Sequence, residues 1–118
     1  MSTRASVVIY DENDVPLVEM YKHWDGYLEG FGKELQEFSH DYKIINGISG
    51  QTMQDKYANG MGDFAAQLIG HFKTSIGDTS IIPIGQDWGQ EHHYTIKPIK
   101  QGRELGQESG VTVTHKDV

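Results

Sequence analysis

His23 and Asp25 stand two positions apart in the stretch Tyr21-Lys22-His23-Trp24-Asp25-Gly26-Tyr27-Leu28-Glu29-Gly30. Side chains two apart on an extended chain point the same way, so this imidazole and carboxylate can share one divalent ion. His92 or His93 from a second strand would complete a two-histidine, one-carboxylate set of the kind that activates water for hydrolysis. The plainer use of the same residues is architectural. Asp25 suits the N-cap of a following helix, and His23 would bond a backbone group or a neighbouring carboxylate. His-x-Asp is too short a pattern to carry a metal site alone, and spacing does not bring the strand of His92 beside that of His23. The expectation is no cofactor, with a divalent metal on His23, Asp25 and His92 or His93 as the alternative.

Asp25 and Glu29 are four apart around a helix start, so they would be neighbours and could act as a general acid and base, as carboxylate pairs do in glycoside hydrolysis. Carboxylates in a first helical turn are also what the helix dipole favours, and a domain of this size is a poor host for a glycosidase cleft. Trp24, Tyr27 and Trp88 have the chemistry of a recognition surface, since aromatic rings carry binding energy disproportionately. The competing use is closure of a sheet–helix junction, with indole N–H and phenol O–H satisfied at its rim. Gly26-x-x-x-Gly30-x-Gly32 lacks the Lys-Ser/Thr ending of a phosphate loop, and Leu35 stands where a dinucleotide fingerprint needs its third glycine. No Gly-x-Ser-x-Gly elbow is present, so no nucleophilic triad is proposed. His40, His71 and His115 read as surface or helix-end residues.

The elements that must place these residues are legible in outline. Ser6–Tyr10 is a β-branched run, Asp11–Pro16 a turn, and Leu17–Trp24 alternates, which predicts a β-hairpin. Val18, Met20, Lys22 and Trp24 share one face of its second strand, with Leu17, Glu19, Tyr21 and His23 on the other; neither is purely apolar. Leu28, Phe31, Leu35 and Phe38 form one stripe of a helix capped by Asp25. Gly30 and Gly32 weaken that helix unless something packs close to its backbone. The segment from Asp41 to Tyr57 is ambiguous between strand and helical turn. Asn59–Asp63 opens a second helix whose Phe64, Ala65, Leu68, Ile69 and Phe72 keep a 3,4 spacing. Ser80–Ile84 reads as a strand pushed toward a sheet edge by Pro83, and His92–Ile99 alternates again. Val111–Thr114 would add an edge strand or belong to a loose tail. The order β-β-α-α-β-β predicts an α+β fold with a mainly antiparallel sheet and two principal helices packed on one face. Residues 1–100 form the domain, and 101–118 form a polar tail, flexible or used as an edge or swapped strand.

The chain has 118 residues, a net charge of −7 and no cysteine. That length supports one domain with a core of its own. The missing thiols remove disulfides, thiolate catalysis and cysteine-bound zinc or iron–sulfur clusters. Acidity without a basic run disfavours duplex nucleic acid and anionic membranes as partners, and no apolar run approaches the ~20 residues of a membrane span. A soluble, cytoplasmic protein is expected.

The start Met1-Ser2-Thr3-Arg4-Ala5, followed by His23-Trp24-Asp25-Gly26-Tyr27-Leu28-Glu29-Gly30-Phe31-Gly32-Lys33, resembles a set of small bacteriophage and bacterial proteins. Those begin Met-Gly/Ser-Thr-Arg-Ser and carry His-Trp-Asp-Gly-Tyr-Leu/Pro-Glu-Gly between a hairpin and a helix. The likeness covers about the first third of the chain and is loose beyond it, limited to Asp87-Trp88-Gly89. It implies a phage or environmental-microbe source, hence host cytoplasm if phage-encoded, and no particular activity. The functional expectation is a non-catalytic binding module, self-associating or taking a protein partner, whose surface is formed by His23, Trp24, Asp25, Tyr27, Glu29 and Trp88. The alternatives are the metal-dependent hydrolase and a structural, virion-associated protein.

Overall fold

In the computed structural model, which describes residues 2–99 and 110–117, the chain runs β1 (Ala5–Tyr10), β2 (Pro16–Lys22), α1 (Lys33–Ser39), β3 (Lys43–Ile45), β4 (Tyr57–Asn59), α2 (Gly60–Phe72), β5 (Thr79–Ile82), β6 (His92–Pro98) and β7 (Val111–Asp117), with one π-helical turn, Leu28–Gly32, leading into α1. Five strands form one sheet in the order β5-β2-β1-β6-β7, and a separate small sheet pairs β3 with β4. Every pairing in the large sheet is antiparallel except that of β1 with β6. The fold is thus α+β, with a mixed, mostly antiparallel sheet and two helices.

The β1–β2 hairpin closes as its composition predicts. Asp11 Oδ1 accepts the N–H groups of Asn13 and Val15 at 2.8 and 2.9 Å, an Asx turn that satisfies two donors otherwise left over at the bend. Register then sets the faces. Ala5 lies opposite Lys22 and Val7 opposite Met20, while Ala5, Val7 and Ile9 run level with His92, Tyr94 and Ile96 of β6. Ala5, Val7, Ile9, Met20, Tyr94 and Ile96 share one cluster with Phe31, Leu35, Met61, Phe64 and Leu68 from the helical segments. Each fully buried Leu, Ile or Phe there contributes about 1.5–3 kcal/mol of transfer free energy.

The other face carries Ser6, Val8, Glu19 and Tyr21, and here the sequence pattern misleads. Ser6, Glu19 and Tyr21 are buried as well, because the chain from 83 to 91 crosses over them. Gly85 donates its N–H to Glu19 Oε1 at 2.8 Å, and Gln90 Nε2 donates to the Gln86 carbonyl at 3.0 Å. With both faces covered, neither face of β2 needed to be purely apolar.

The remaining departures have local causes. In the ambiguous segment the short-strand alternative holds for Lys43–Ile45, which pairs in parallel with Tyr57–Asn59 beside α2. β5 is an edge strand as expected, and Pro83 stands just past its end. Residues 111–117 form the other edge strand, β7, against β6, so the expected tail is partly sheet; its stretch 101–109 lies outside the described residues. His115 is correspondingly no simple surface residue. It pairs opposite Tyr94, and its Nε2 sits 2.9 Å from His92 Nδ1.

Candidate functional site

Strand β2 delivers its last residues to a clamp built on Asp78, just before β5. Lys22 Nζ meets Asp78 Oδ2 at 2.6 Å, the Trp24 N–H donates to Oδ1 at 3.1 Å, and the His23 N–H donates to the Asp78 carbonyl at 2.8 Å. Burial works against the ionised form of Asp78. The Lys22 ammonium and the N–H groups of Trp24 and His23 outweigh it, and hold the carboxyl below its ordinary value of 3.8. The backbone of His23 and Trp24 is therefore fixed before any side chain is considered. Asp78 sits at a φ of 60°, a left-handed conformation that Asp and Asn tolerate better than most residues.

Asp25 turns the chain with a φ of 57°, and it does so with its backbone. Its carbonyl accepts the Phe31 N–H at 2.8 Å. The expected N-cap role is corrected here: the residue before the first helical turn is Tyr27, and no side chain caps that end. The turn opens as a π-helix and only then narrows to α1. The glycines of the motif serve this bend. Gly26 lies against β1, donating to the Thr3 carbonyl at 2.8 Å and accepting from the Tyr94 hydroxyl at 2.7 Å. A Cβ there would stand 2.6 Å from Ala5 Cβ, and one on Gly32 would stand 2.9 Å from the Tyr94 hydroxyl. The close packing that would excuse Gly30 and Gly32 is present.

The aromatic residues line up. Trp24 meets His23 edge-on at 4.5 Å between ring centroids, His23 lies 6.0 Å from Tyr21, and Tyr21 meets Trp88 edge-on at 5.0 Å. Tyr21 Oη and His23 Nδ1 share a 2.8 Å hydrogen bond that fixes the middle of the row. Burial pushes the Tyr21 phenol above its ordinary value, with the Arg4 guanidinium opposing and Asp78 adding to the rise. At the far end Arg4 Nη1 donates to the Trp88 carbonyl at 3.0 Å, and the Trp88 N–H donates to Gln90 Oε1 at 2.8 Å. The ends stay open: Trp24 is 48 % exposed and Trp88 44 %.

Of the residues singled out from sequence, His23, Trp24 and Trp88 come together in this row. Asp25, Tyr27 and Glu29 are exposed on the bend beside it, and Tyr27 makes no ring contact with the row among the described residues. His92 and His93 are successive strand residues and face opposite sides of the sheet. His92 lies toward His115, and His93 is level with Ser6 on the other face. Strand β1 separates both from β2. Among the described residues no three His, Asp or Glu side chains gather into a set that could hold a metal ion. Tyr21, Lys22, Asp78, Arg4 and Gln90 went unseen as contributors in the sequence. Asp78 carried only the signal of a Gly-Asp turn, which says nothing of what the carboxylate reaches.

Comparison of the chain with protein families, with curated proteins and with solved structures gave no match.

Proposed function

We propose that this chain is a non-catalytic binding module that takes a protein surface, a second copy of itself included, on the row Trp24–His23–Tyr21–Trp88. The observation that carries the reading is the pair of half-exposed indoles held on a rigid support. Exposed aromatic area is costly in water, and Trp is the side chain most enriched where binding energy concentrates. Here the backbone of Trp24 is clamped by Asp78 and that of Trp88 by Arg4 and Gln90, so little ordering entropy is lost on contact. Asp25, Tyr27 and Glu29 supply a polar rim. The edge strands β5 and β7 give a second copy a further route of approach. The Tyr21 hydroxyl engages His23 Nδ1 and so holds the imidazole within the row.

The two tryptophans are the only ones in the chain, so their emission reports directly on this surface. Both side chains are half exposed, so Trp24→Ala, Trp88→Ala and the double variant are expected to fold. For self-association, light scattering shows mass rising with concentration while acrylamide quenching falls, and the double variant stays monomeric. A very large stable assembly would favour a structural protein instead. A dimer or a defined partner that binds the double variant as tightly as the parent overturns the reading.

A further inference from the structure

Glu19 is an anomaly that the aromatic row does not use. It is 2 % exposed, yet among the described residues it forms no ion pair. Oε2 accepts from Ser6 Oγ at 2.5 Å and Oε1 from the Gly85 N–H at 2.8 Å. An ionised carboxylate has about four acceptor positions, so two bonds leave capacity unused. A buried anion without a cation is expensive, and such groups are retained where something else meets them.

What lies over Glu19 is a cleft of about 410 Å³ between the sheet and the chain from 83 to 90, within the size range of small-molecule sites. Val8, Tyr10 and Ile84 give it apolar walls, and Gln86, Asp87 and His93 give it polar ones. Among the described residues no lysine or arginine lines it. The Lys97 ammonium, which lies over the ring of the lining residue Tyr10 at 4.6 Å, is engaged by Asp14 at 3.1 Å. The walls are fixed: Gln90 Nε2 reaches Ser6 Oγ at 3.5 Å and the Gln86 carbonyl at 3.0 Å, so Ser6, Glu19 and Gln90 tie the crossing segment to the sheet.

We propose that this cleft binds a small organic cation, an ammonium or guanidinium group on a short apolar chain, with Glu19 as the anionic acceptor at its floor. The N–H donors fill the free acceptor positions of the carboxylate, Asp87 adds a second negative group at the rim, and the alkyl part lies on Val8 and Ile84. A divalent metal is not the fit, because no three-ligand set is present among the described residues. Trp88 does not line this cleft, and the proposal does not depend on the binding-module reading.

The test is a titration of the ¹⁵N-labelled full chain with n-butylammonium and n-butylguanidinium, with n-butanol and butyrate as neutral and anionic counterparts, at constant ionic strength. The expected result is saturable shifts of the Gly85 and His93 amides with both cations, at a dissociation constant of about a millimolar, and none with the counterparts. Glu19→Gln weakens binding at least about tenfold, and Asp87→Asn by a smaller factor. Because Glu19→Gln also touches the anchor of the loop, Val8→Trp, which fills the cleft and leaves Glu19 in place, decides the case if that variant fails to fold. Absence of saturable shifts with the cations, equal shifts with butanol or butyrate, or unchanged affinity in Val8→Trp or in a folded Glu19→Gln each overturns the proposal.

Discussion

The Tyr94 hydroxyl donates a 2.7 Å hydrogen bond to the carbonyl of Gly26, tying the fourth strand of the sheet to the bend that follows the second. Tyr94 is 1 % exposed, and its ring meets Phe31 edge-on at 5.5 Å. Tyr94→Phe keeps the ring and removes the donor, leaving a buried carbonyl short of one partner. The expected loss is about 1–3 kcal/mol, read as a lower urea midpoint at unchanged slope. Trp24 emission should shift if the bend loosens.

Gly26→Ala tests the same junction by volume. The added methyl would lie 2.6 Å from Ala5 Cβ, at the start of β1, and 2.7 Å from the Thr3 carbonyl oxygen, backbone just ahead of that strand, and neither is the end of a flexible side chain. Overpacking of this kind costs about 1–3 kcal/mol. A variant as stable as the parent in chemical denaturation would show that the bend does not rest on β1 as described.

Asp78 makes the junction sensitive to acid. Its folded carboxyl ionises below the ordinary 3.8 because Lys22 and the Trp24 and His23 N–H groups outweigh its burial. A depressed carboxyl gives stability that is fully present above the unfolded value and is lost as pH falls through the folded one. The parent should therefore lose stability progressively below about pH 4. Asp78→Asn, which tolerates the same left-handed backbone, should be less stable at neutral pH and show a shallower acid limb. Thermal midpoints across that range check both statements.

Tyr42 sets the opposite limb. Burial raises its phenol above 10.0, and the nearby Asp63 carboxylate raises it further; the hydroxyl itself is bonded to Gln67 Oε1. The unfolded chain then releases this proton at lower pH than the folded one, so stability is complete below about pH 10 and falls as pH rises beyond it. Tyr21 has a raised phenol as well and acts in the same sense. Tyr42→Phe should flatten the alkaline loss measured between about pH 9 and pH 11.

The sequence carried the hairpin and α2 well, for physical reasons. Alternation in Leu17–Trp24 and the 3,4 spacing of Phe64, Leu68 and Phe72 are long enough for a period to show. β3 and β4, at three residues each, are too short for any period, and they pair with each other and pack beside α2 only in the folded chain. Asp25 was misread because the same side chain suits an N-cap and a left-handed turn, and composition does not distinguish them. The site was legible in its parts and not in its assembly. His23, Trp24 and Trp88 stood out by type, whereas their alignment depends on Tyr21 bridging them and on where the 83–91 segment crosses the sheet. Glu19 passed as an ordinary polar residue on an alternating strand, because the segment that buries it lies 66 positions away.

The parallel pairing of β1 with β6 also bears on how the molecule is made. β1 leaves the ribosome well before β6 and, once paired with β2, must wait with its other side bare. That side is a row of free backbone groups flanked by Val7, Val8 and Ile9, the kind of template that recruits stray strands. A nascent chain stalled short of His92 is thus a seed for aggregation, and quick release of the later half protects the earlier one.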